Sequence, residues 1–162
     1  MNNIDFFTTG VYGTTAEEFK EKLISNHIDT FIDIRFRRAV RGSKYTFANS
    51  NRLQAILKEL DINYIYIPEL ATPPDIIAIQ KKSDKSEGTK QSERQHLDEK
   101  FISEYKKRVL DKYDLSDLLD RLERSGAKRA LFFCVEANPR ACHRSLVTDR
   151  LREEYIVKVK HV

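Results

Sequence analysis

The chain has 162 residues and a mass of 19.0 kDa, which is the usual size of one globular domain. Apolar residues make up 40% and charged residues 33% of the sequence, a balance that supports a hydrophobic core and excludes collagen-like and wholly disordered chains. The formal net charge of +4 comes from 29 basic and 25 acidic residues, and this small excess indicates no partner until the positions of the charges are known.

The composition also predicts a cytoplasmic protein without a membrane partner. The sequence contains no run of 18 apolar residues, and Met1–Phe7 includes an acid and no basic run of the kind that opens a secretion signal. The two cysteines, Cys134 and Cys142, are too few for a disulfide scaffold. We therefore expect both thiols to be reduced.

The chain begins with a predicted strand, helix and strand. Residues 4–9 are short, apolar and β-prone, and a glycine-flanked turn follows. Thr14 or Thr15 caps a helix that extends to about residue 26, because two glutamates occupy its first turn. Residues 28–35 alternate apolar and polar side chains, which predicts the second strand.

A loop, a helix and a third strand come next. Residues 36–48 predict a loop, and Asn49 or Ser50 caps a helix that continues to Leu60. Residues 62–67 predict the third strand, which ends at a proline.

The middle of the chain is helical, with one ambiguous stretch. A helix is predicted over 73–82, and residues 81–100 are so charged that either a mobile excursion or an exposed helix is compatible with them. Helical periodicity returns over 101–110 and again over 115–122. Gly126 is the expected end of the last of these helices.

The C-terminal part predicts the centre and one edge of a sheet. Residues 130–135 are continuously apolar, which is typical of a strand covered on both faces. A polar loop over 136–143 leads to a helix over 144–154 and an edge strand over 155–162. Because strands and helices alternate, we predict a single α/β domain over 1–162, with an open, mainly parallel sheet of about five strands and helices on both faces.

Ligands of open α/β sheets bind beyond the carboxyl ends of the strands, so polar residues in those positions are candidates for a site. The candidates are Thr9 and Tyr12 after the first strand, Asp33 and Arg35 at the second, Glu69 after the third, and Cys134, Glu136, Cys142, His143 and Arg144 after the fourth.

A basic segment, defined as residues 35–58, contains no acidic residue. Arginine presents a planar fork of donors that suits phosphate. The segment therefore predicts an anion site, whereas a solvated basic loop is the alternative. We expect Arg35, Arg37, Arg41 and Arg144 to bind the anion.

Asp33 and Arg35 lie two residues apart, so both side chains are expected on the same face of the second strand. Either they form an ion pair that orders the end of the strand, or the carboxylate is a general base and the guanidinium an anion clamp.

The stretch from Cys134 to Arg144 permits three interpretations. The C-x5-R spacing from Cys134 to Arg140 occurs in cysteine phosphatases, but this loop has no glycine and contains a repelling glutamate. A metal site of Cys134, Cys142 and His143 is disfavoured, because adjacent residues do not easily reach one ion. We favour a polar loop whose Glu136, His143 and Arg144 contact a ligand while the thiols are partly structural. A purely structural loop is the remaining alternative, and we expect no metal ion and no cofactor.

The leading functional hypothesis is a hydrolase or transferase that acts on a nucleotide or nucleic-acid end. Asp33 and Glu136 are the acid/base candidates, with Cys142 and His143 close by. One alternative is a non-catalytic nucleic-acid binding module that uses the basic segment. A second alternative is a thiol-based redox or cysteine-phosphatase-like enzyme, in which Cys142 at a helix N-terminus has the more depressed thiol pKa.

Together these residues resemble the family called domain of unknown function 488. The resemblance rests on Thr9-Gly10-Val11-Tyr12, Asp33-Ile34-Arg35, Tyr64 with Pro68-Glu69-Leu70, and the C-x-E-x-x-P-x-x-C-H-R run from Cys134 to Arg144. The family pattern usually has Leu-Gly after the third strand, where this chain has Leu70-Ala71, and Arg140 lies outside the family motif. The resemblance implies a compact cytoplasmic α/β domain with a site lined by these motifs, and it does not imply a reaction.

Overall fold

One sheet of parallel strands organises residues 3–162, the part of the chain that this computed structural model describes. Met1 and Asn2 lie outside the described residues. They are the first two residues of the predicted domain and of the N-terminal stretch Met1–Phe7. The five strands are β1 (Asp5–Thr9), β2 (Thr30–Asp33), β3 (Asn63–Tyr66), β4 (Arg129–Phe133) and β5 (Lys158–His161). Their spatial order is β3-β2-β4-β1-β5, and every neighbouring pair is parallel. The predicted α/β class and open parallel sheet are confirmed.

Helices cover both faces of the sheet. Within the described residues they are α1 (Ala16–Ser25), α2 (Ser50–Glu59), α3 (Pro74–Glu87), α4 (Glu99–Arg108), α5 (Leu115–Arg124) and α6 (His143–Glu154). The core residues of α1 and α2 pack on one face, and those of α3 to α6 pack on the other. No helix of residues 3–162 has the length and apolar character needed to cross a membrane.

The two faces of the sheet follow from the alternation of side chains along each strand. On β4, Leu131 and Phe133 face α1 and α2, whereas Ala130 and Phe132 face the opposite layer. All four are fully buried, because β4 lies between β1 and β2 at the centre of the sheet. The continuous apolar run therefore predicts its position correctly.

Local signals set the start of α1 as predicted. Thr15 is its N-cap and accepts a hydrogen bond from the Glu18 amide, while the Glu18 carboxylate accepts one from the Thr15 amide. This reciprocal pair satisfies two amides that the helix leaves without partners.

Three predicted segments differ from the structure by more than two residues. The predicted loop over 36–48 contains a 3-10 turn, Ser43–Ala48, because its aromatic residues are buried. The helix predicted to end near 82 continues to Glu87, where Gly88 ends it with a φ of 68°. The last strand begins at Lys158 rather than at 155 and is the edge strand beside β1.

Candidate functional site

A cavity of about 410 Å³ lies at the carboxyl ends of β1, β2 and β4. Segments that follow these three strands form one side of it, and α3, the 3-10 turn Gln91–Glu93 and the start of α4 form the other side. Its size is that of a small-molecule site.

Most of the predicted site residues line this cavity. They are Tyr12, Arg35, Arg37, Arg41, Cys134, Glu136, Cys142 and His143. Four other candidates, Thr9, Asp33, Glu69 and Arg144, are not among its lining residues.

Thr9 and Glu69 face other parts of the molecule. The Thr9 hydroxyl donates to the Val162 carbonyl at 3.0 Å, which connects β1 to the chain end beyond β5. Glu69 is exposed in the short turn Pro68–Leu70. A ligand in the cavity would not need either side chain.

Asp33 and Arg35 form a buried ion pair. The Arg35 Nε and Nη2 atoms donate to the two Asp33 oxygens at 2.9 Å each, and Nη1 donates to the Ala48 carbonyl at 2.8 Å. The Tyr64 hydroxyl also donates to Asp33, at 2.8 Å. With both carboxylate oxygens engaged, the pair fixes the end of β2 and the start of the basic segment.

Arg144 holds the loop that follows β4. Its guanidinium donates to the backbone carbonyls of Glu136 and Ala137 and to the Thr8 hydroxyl. The side chain is 1% exposed, so these protein acceptors take the place of a ligand. Arg144 thereby positions Glu136 rather than lining the cavity.

Gly10 allows the loops after β1 and β4 to approach closely. A Cβ atom at this position would lie 2.0 Å from the Glu136 carbonyl oxygen. The next two amides, of Val11 and Tyr12, both donate to the Val135 carbonyl. This contact brings Tyr12 to the cavity beside Glu136.

Two thiols and an imidazole meet at the base of the cavity. The Cys134 and Cys142 sulfurs and a ring nitrogen of His143 all lie within 4.8 Å of one another. Cys142 Sγ is 3.7 Å from His143 Nδ1, and His143 Nε2 is 2.8 Å from the Ile34 carbonyl oxygen. The ring is also in edge contact with Tyr105, whose hydroxyl donates to the Leu70 carbonyl.

The cluster separates the pKa values of the two thiols. Burial raises the pKa of Cys142, but the hydrogen bond with Cys134 and the neighbouring His143 lower it, and the pKa lies well below its ordinary value. The same hydrogen bond and burial raise the pKa of Cys134 well above its ordinary value. Burial lowers the pKa of His143, but the nearby Cys142 thiolate and the hydrogen bonds with Cys142 and the Ile34 carbonyl together raise it, and the net direction is upward.

Glu136 is held by only one of its oxygens. Oε1 accepts hydrogen bonds from Arg94 at 2.8 Å and Gln91 at 3.1 Å, whereas Oε2 is buried without a hydrogen-bond partner among the described residues. Burial and the nearby Cys142 thiolate raise the Glu136 pKa to about 7, against the lowering effect of Arg94. Such a carboxyl can both accept and donate a proton near neutral pH.

Sequence reasoning missed the contribution of residues 81–100. Arg94 bridges Asp84 and Glu136 at 2.8 Å each and donates to the Ala141 carbonyl. Gln80 and Asp84 are buried on α3 and hydrogen-bonded to each other. Ile76, Gln80 and Asp84 follow one another at intervals of four residues, and this spacing was the available signal, because it places all three on the inward face of the helix.

Exposed cations lie around the mouth of the cavity. Arg37, Arg41 and Lys81 line it, and none of them forms an ion pair within residues 3–162. Other cations of the basic segment contact other groups. The Arg38 guanidinium carbon lies 4.1 Å from the centre of the Tyr66 ring, and Arg52 donates to the Thr46 hydroxyl. The cations of the basic segment therefore do not all face the cavity.

A second depression, of about 570 Å³, is wide and shallow. It lies at the amino-terminal ends of β2 and β3 and is lined by residues such as Asp29, Lys58 and Asp61. It contains neither the thiol cluster nor Glu136.

The C-x5-R spacing does not form a phosphatase loop. Arg140 is exposed and pairs with Asp149 at 2.7 Å, and it is not among the cavity-lining residues. The objection to a metal site also fails, because the donor atoms of adjacent Cys142 and His143 both reach the cluster.

The sequence model of one protein family, Domain of unknown function DUF488, matches residues 15–151. No curated protein matches the chain, and no solved structure matches it. The matched range contains every cavity-lining residue except Tyr12. Because the match spans most of the chain, the protein belongs to the DUF488 family, as the resemblance predicted.

Proposed function

We propose that the cavity binds a small phosphate-bearing ligand such as a nucleotide, and that the protein is a hydrolase or transferase acting on it. The observation that carries the proposal is a combination found in one cavity of about 410 Å³. Within residues 3–162, the cations at its mouth have no ion pair and a buried carboxylate oxygen inside it has no hydrogen-bond partner.

The cations supply the affinity for phosphate. Arg37 and Arg41 are exposed and free of ion pairs within the described chain, so a phosphate group does not have to displace a carboxylate from them. Arginine donates two parallel hydrogen bonds to phosphate oxygens. Arg35, held by Asp33 and Ala48, supports the wall from which Arg37 projects.

The interior of the cavity supplies the polar contacts and the acid/base group. Glu136 Oε2 and Thr72 Oγ1 are buried, lack hydrogen-bond partners in the part of the chain that the structure describes, and belong to residues that line the cavity. Buried polar atoms are normally paired, so an unpaired atom at a cavity wall is a natural contact for a ligand or water. Glu136 is the acid/base candidate, whereas Asp33 has both oxygens engaged by Arg35 and Tyr64.

Calorimetric titration with inorganic phosphate and with nucleoside mono- and triphosphates tests this proposal. The double variant Arg37→Gln/Arg41→Gln should bind the best of these probes at least about tenfold more weakly, because it lacks both charged contacts. The matched control Arg121→Gln/Arg124→Gln removes the same charge from the exposed surface of α5 and should bind like the wild-type protein.

The enzymatic part requires a separate variant. Glu136→Gln keeps the oxygen that accepts from Arg94 and Gln91, so it should retain ligand binding within about threefold while losing on the order of a hundredfold or more in turnover. Equal binding by the two double-arginine variants would contradict the proposed site. Binding only of long nucleic acid, abolished by salt, would instead favour a non-catalytic nucleic-acid module.

A further inference from the structure

We propose that Cys134, Cys142 and His143 bind a zinc ion whose fourth coordination position faces the cavity. The inference that the ion binds is based on the geometry of these three side chains. The ion's place in catalysis rests on the proposed function.

The donor atoms are spaced as a zinc site requires. Zinc binds cysteine sulfur at about 2.3 Å and histidine nitrogen at about 2.0 to 2.1 Å, so ligands in a tetrahedral site lie about 3.5 to 3.8 Å from one another. Cys142 Sγ and His143 Nδ1 are 3.7 Å apart, and all three donor atoms lie within 4.8 Å of one another. The largest of these separations therefore exceeds the tetrahedral value by at most about 1 Å.

The histidine is oriented as a metal ligand. A carbonyl oxygen only accepts hydrogen bonds, so His143 Nε2, 2.8 Å from the Ile34 carbonyl oxygen, carries a hydrogen and donates it. In the neutral ring Nδ1 then presents its lone pair to the two sulfurs. A backbone carbonyl that receives the other ring N–H is the usual outer partner of a metal-bound histidine.

The local fold explains how adjacent residues serve one ion. Cys142 is extended, with φ −140° and ψ 145°, and His143 begins α6. The chain changes direction between them, so both side chains face Cys134, which directly follows β4. Two buried thiols and one imidazole also match zinc in their softness, whereas magnesium and calcium prefer oxygen ligands.

The site has three protein ligands and opens toward the cavity. Cys134, Cys142 and His143 all line it, and Glu136, with its unpartnered Oε2, lines the same cavity. Three protein ligands with a fourth position available to water or substrate is the arrangement of catalytic zinc sites, whereas structural sites have four.

Metal uptake by the untagged, reduced protein tests the inference. Zinc per chain is measured by elemental analysis after dialysis, and cobalt is used as a spectroscopic probe of thiolate ligation and tetrahedral geometry. We expect one zinc per chain and intense cobalt–thiolate absorption bands in the wild-type protein. Cys134→Ser, Cys142→Ser and His143→Asn should each weaken zinc binding at least a hundredfold.

His96→Asn is the matched control, because His96 is exposed and distant in sequence from the cluster, and it should bind zinc like the wild type. The inference is overturned if the folded wild-type protein takes up no zinc at micromolar concentration, or if Cys142→Ser and His143→Asn bind it undiminished. A Cys134–Cys142 disulfide formed on oxidation, in a protein that takes up no zinc, would overturn it in favour of thiol redox chemistry.

Phosphate binding measured on the same samples separates the two proposals. A protein that binds nucleotide through Arg37 and Arg41 but takes up no zinc refutes the metal site alone. A protein that takes up zinc but binds no phosphate-bearing probe refutes the proposed ligand alone.

Discussion

At Glu136, Oε1 accepts hydrogen bonds from Arg94 and Gln91, while Oε2 is buried and has no hydrogen-bond partner within residues 3–162. Arg94 also pairs with Asp84, so one guanidinium compensates two carboxylates that are nearly inaccessible to water. A buried ion pair contributes little net stability when complete, but removing one partner leaves the other charge without compensation. Arg94 is therefore the side chain on which the polar wall of the cavity depends.

We expect Arg94→Leu to lower the free energy of unfolding by about 3 kcal/mol, because it leaves Asp84 and Glu136 without their shared cation. Arg140→Leu breaks an exposed ion pair with Asp149, and its free energy of unfolding should stay within about 1 kcal/mol of the wild-type value. Urea denaturation at neutral pH measures both values, and equal losses in the two variants would show that Arg94 has no special role.

Replacing either of two glycines near the site with alanine should lower the free energy of unfolding, but by different amounts. Gly10→Ala should cost about 2 to 3 kcal/mol, because its Cβ would overlap the Glu136 carbonyl and force the two loops apart. A Cβ atom at Gly13 would meet no atom within 4 Å. Gly13→Ala should therefore lower the free energy of unfolding by about 1 kcal/mol, because of its positive φ of 76° alone. If thermal unfolding ranks Gly13→Ala as the more damaging, the close approach of the loops is not a packing constraint.

At the scale of elements, a titratable side chain connects the edge strand β5 to its neighbour β1. His161 Nδ1 is 2.6 Å from the Thr8 hydroxyl, and burial, with the nearby Arg144 and Arg152, lowers the His161 pKa. The unfolded chain, with a pKa near 6.5, therefore takes up this proton before the folded protein does. This difference predicts that stability falls as the pH drops through 6.5 and levels off below the folded-state pKa.

Unfolding of His161→Asn at pH 7.5 and pH 5.5 tests this contribution. The variant should lose less stability between the two pH values than the wild type, because the group that favours the unfolded state on protonation has been removed. If His161→Asn keeps the full wild-type pH dependence of stability, groups other than His161 cause that dependence.

The elements were predictable where one local signal decides them. Thr15 with Glu18 specifies the start of α1, and the apolar run in β4 specifies the centre of the sheet. The end of α3 was not predictable from hydrophobicity, because Asp84 is buried through its pairing with Arg94, ten residues away. The burial of Arg35 likewise depends on a tertiary partner, the carbonyl of Ala48. Long-range polar pairing is invisible to periodicity, and this site consists largely of such pairs.

At the scale of the whole molecule, the parallel sheet brings three strand ends to one place. The segments after β1, β2 and β4 supply Tyr12, the Arg37–Arg41 stretch and the thiol cluster, respectively. The helical layer of α3 and α4 closes the other side of the same cavity. The shallow depression at the opposite end of the strands has no comparable set of reactive side chains.

We propose that a phosphate-bearing ligand binds in the cavity at the carboxyl ends of the strands. A titration of the isotopically labelled protein with a nucleoside phosphate, followed by backbone amide NMR, tests the claim most directly. We predict saturable shifts confined to residues around the cavity, including Tyr12, Arg37, Arg41, Thr72 and Glu136. Shifts centred on Asp29, Lys58 and Asp61 at the opposite end of the strands, or no saturable shifts at all, would contradict the account.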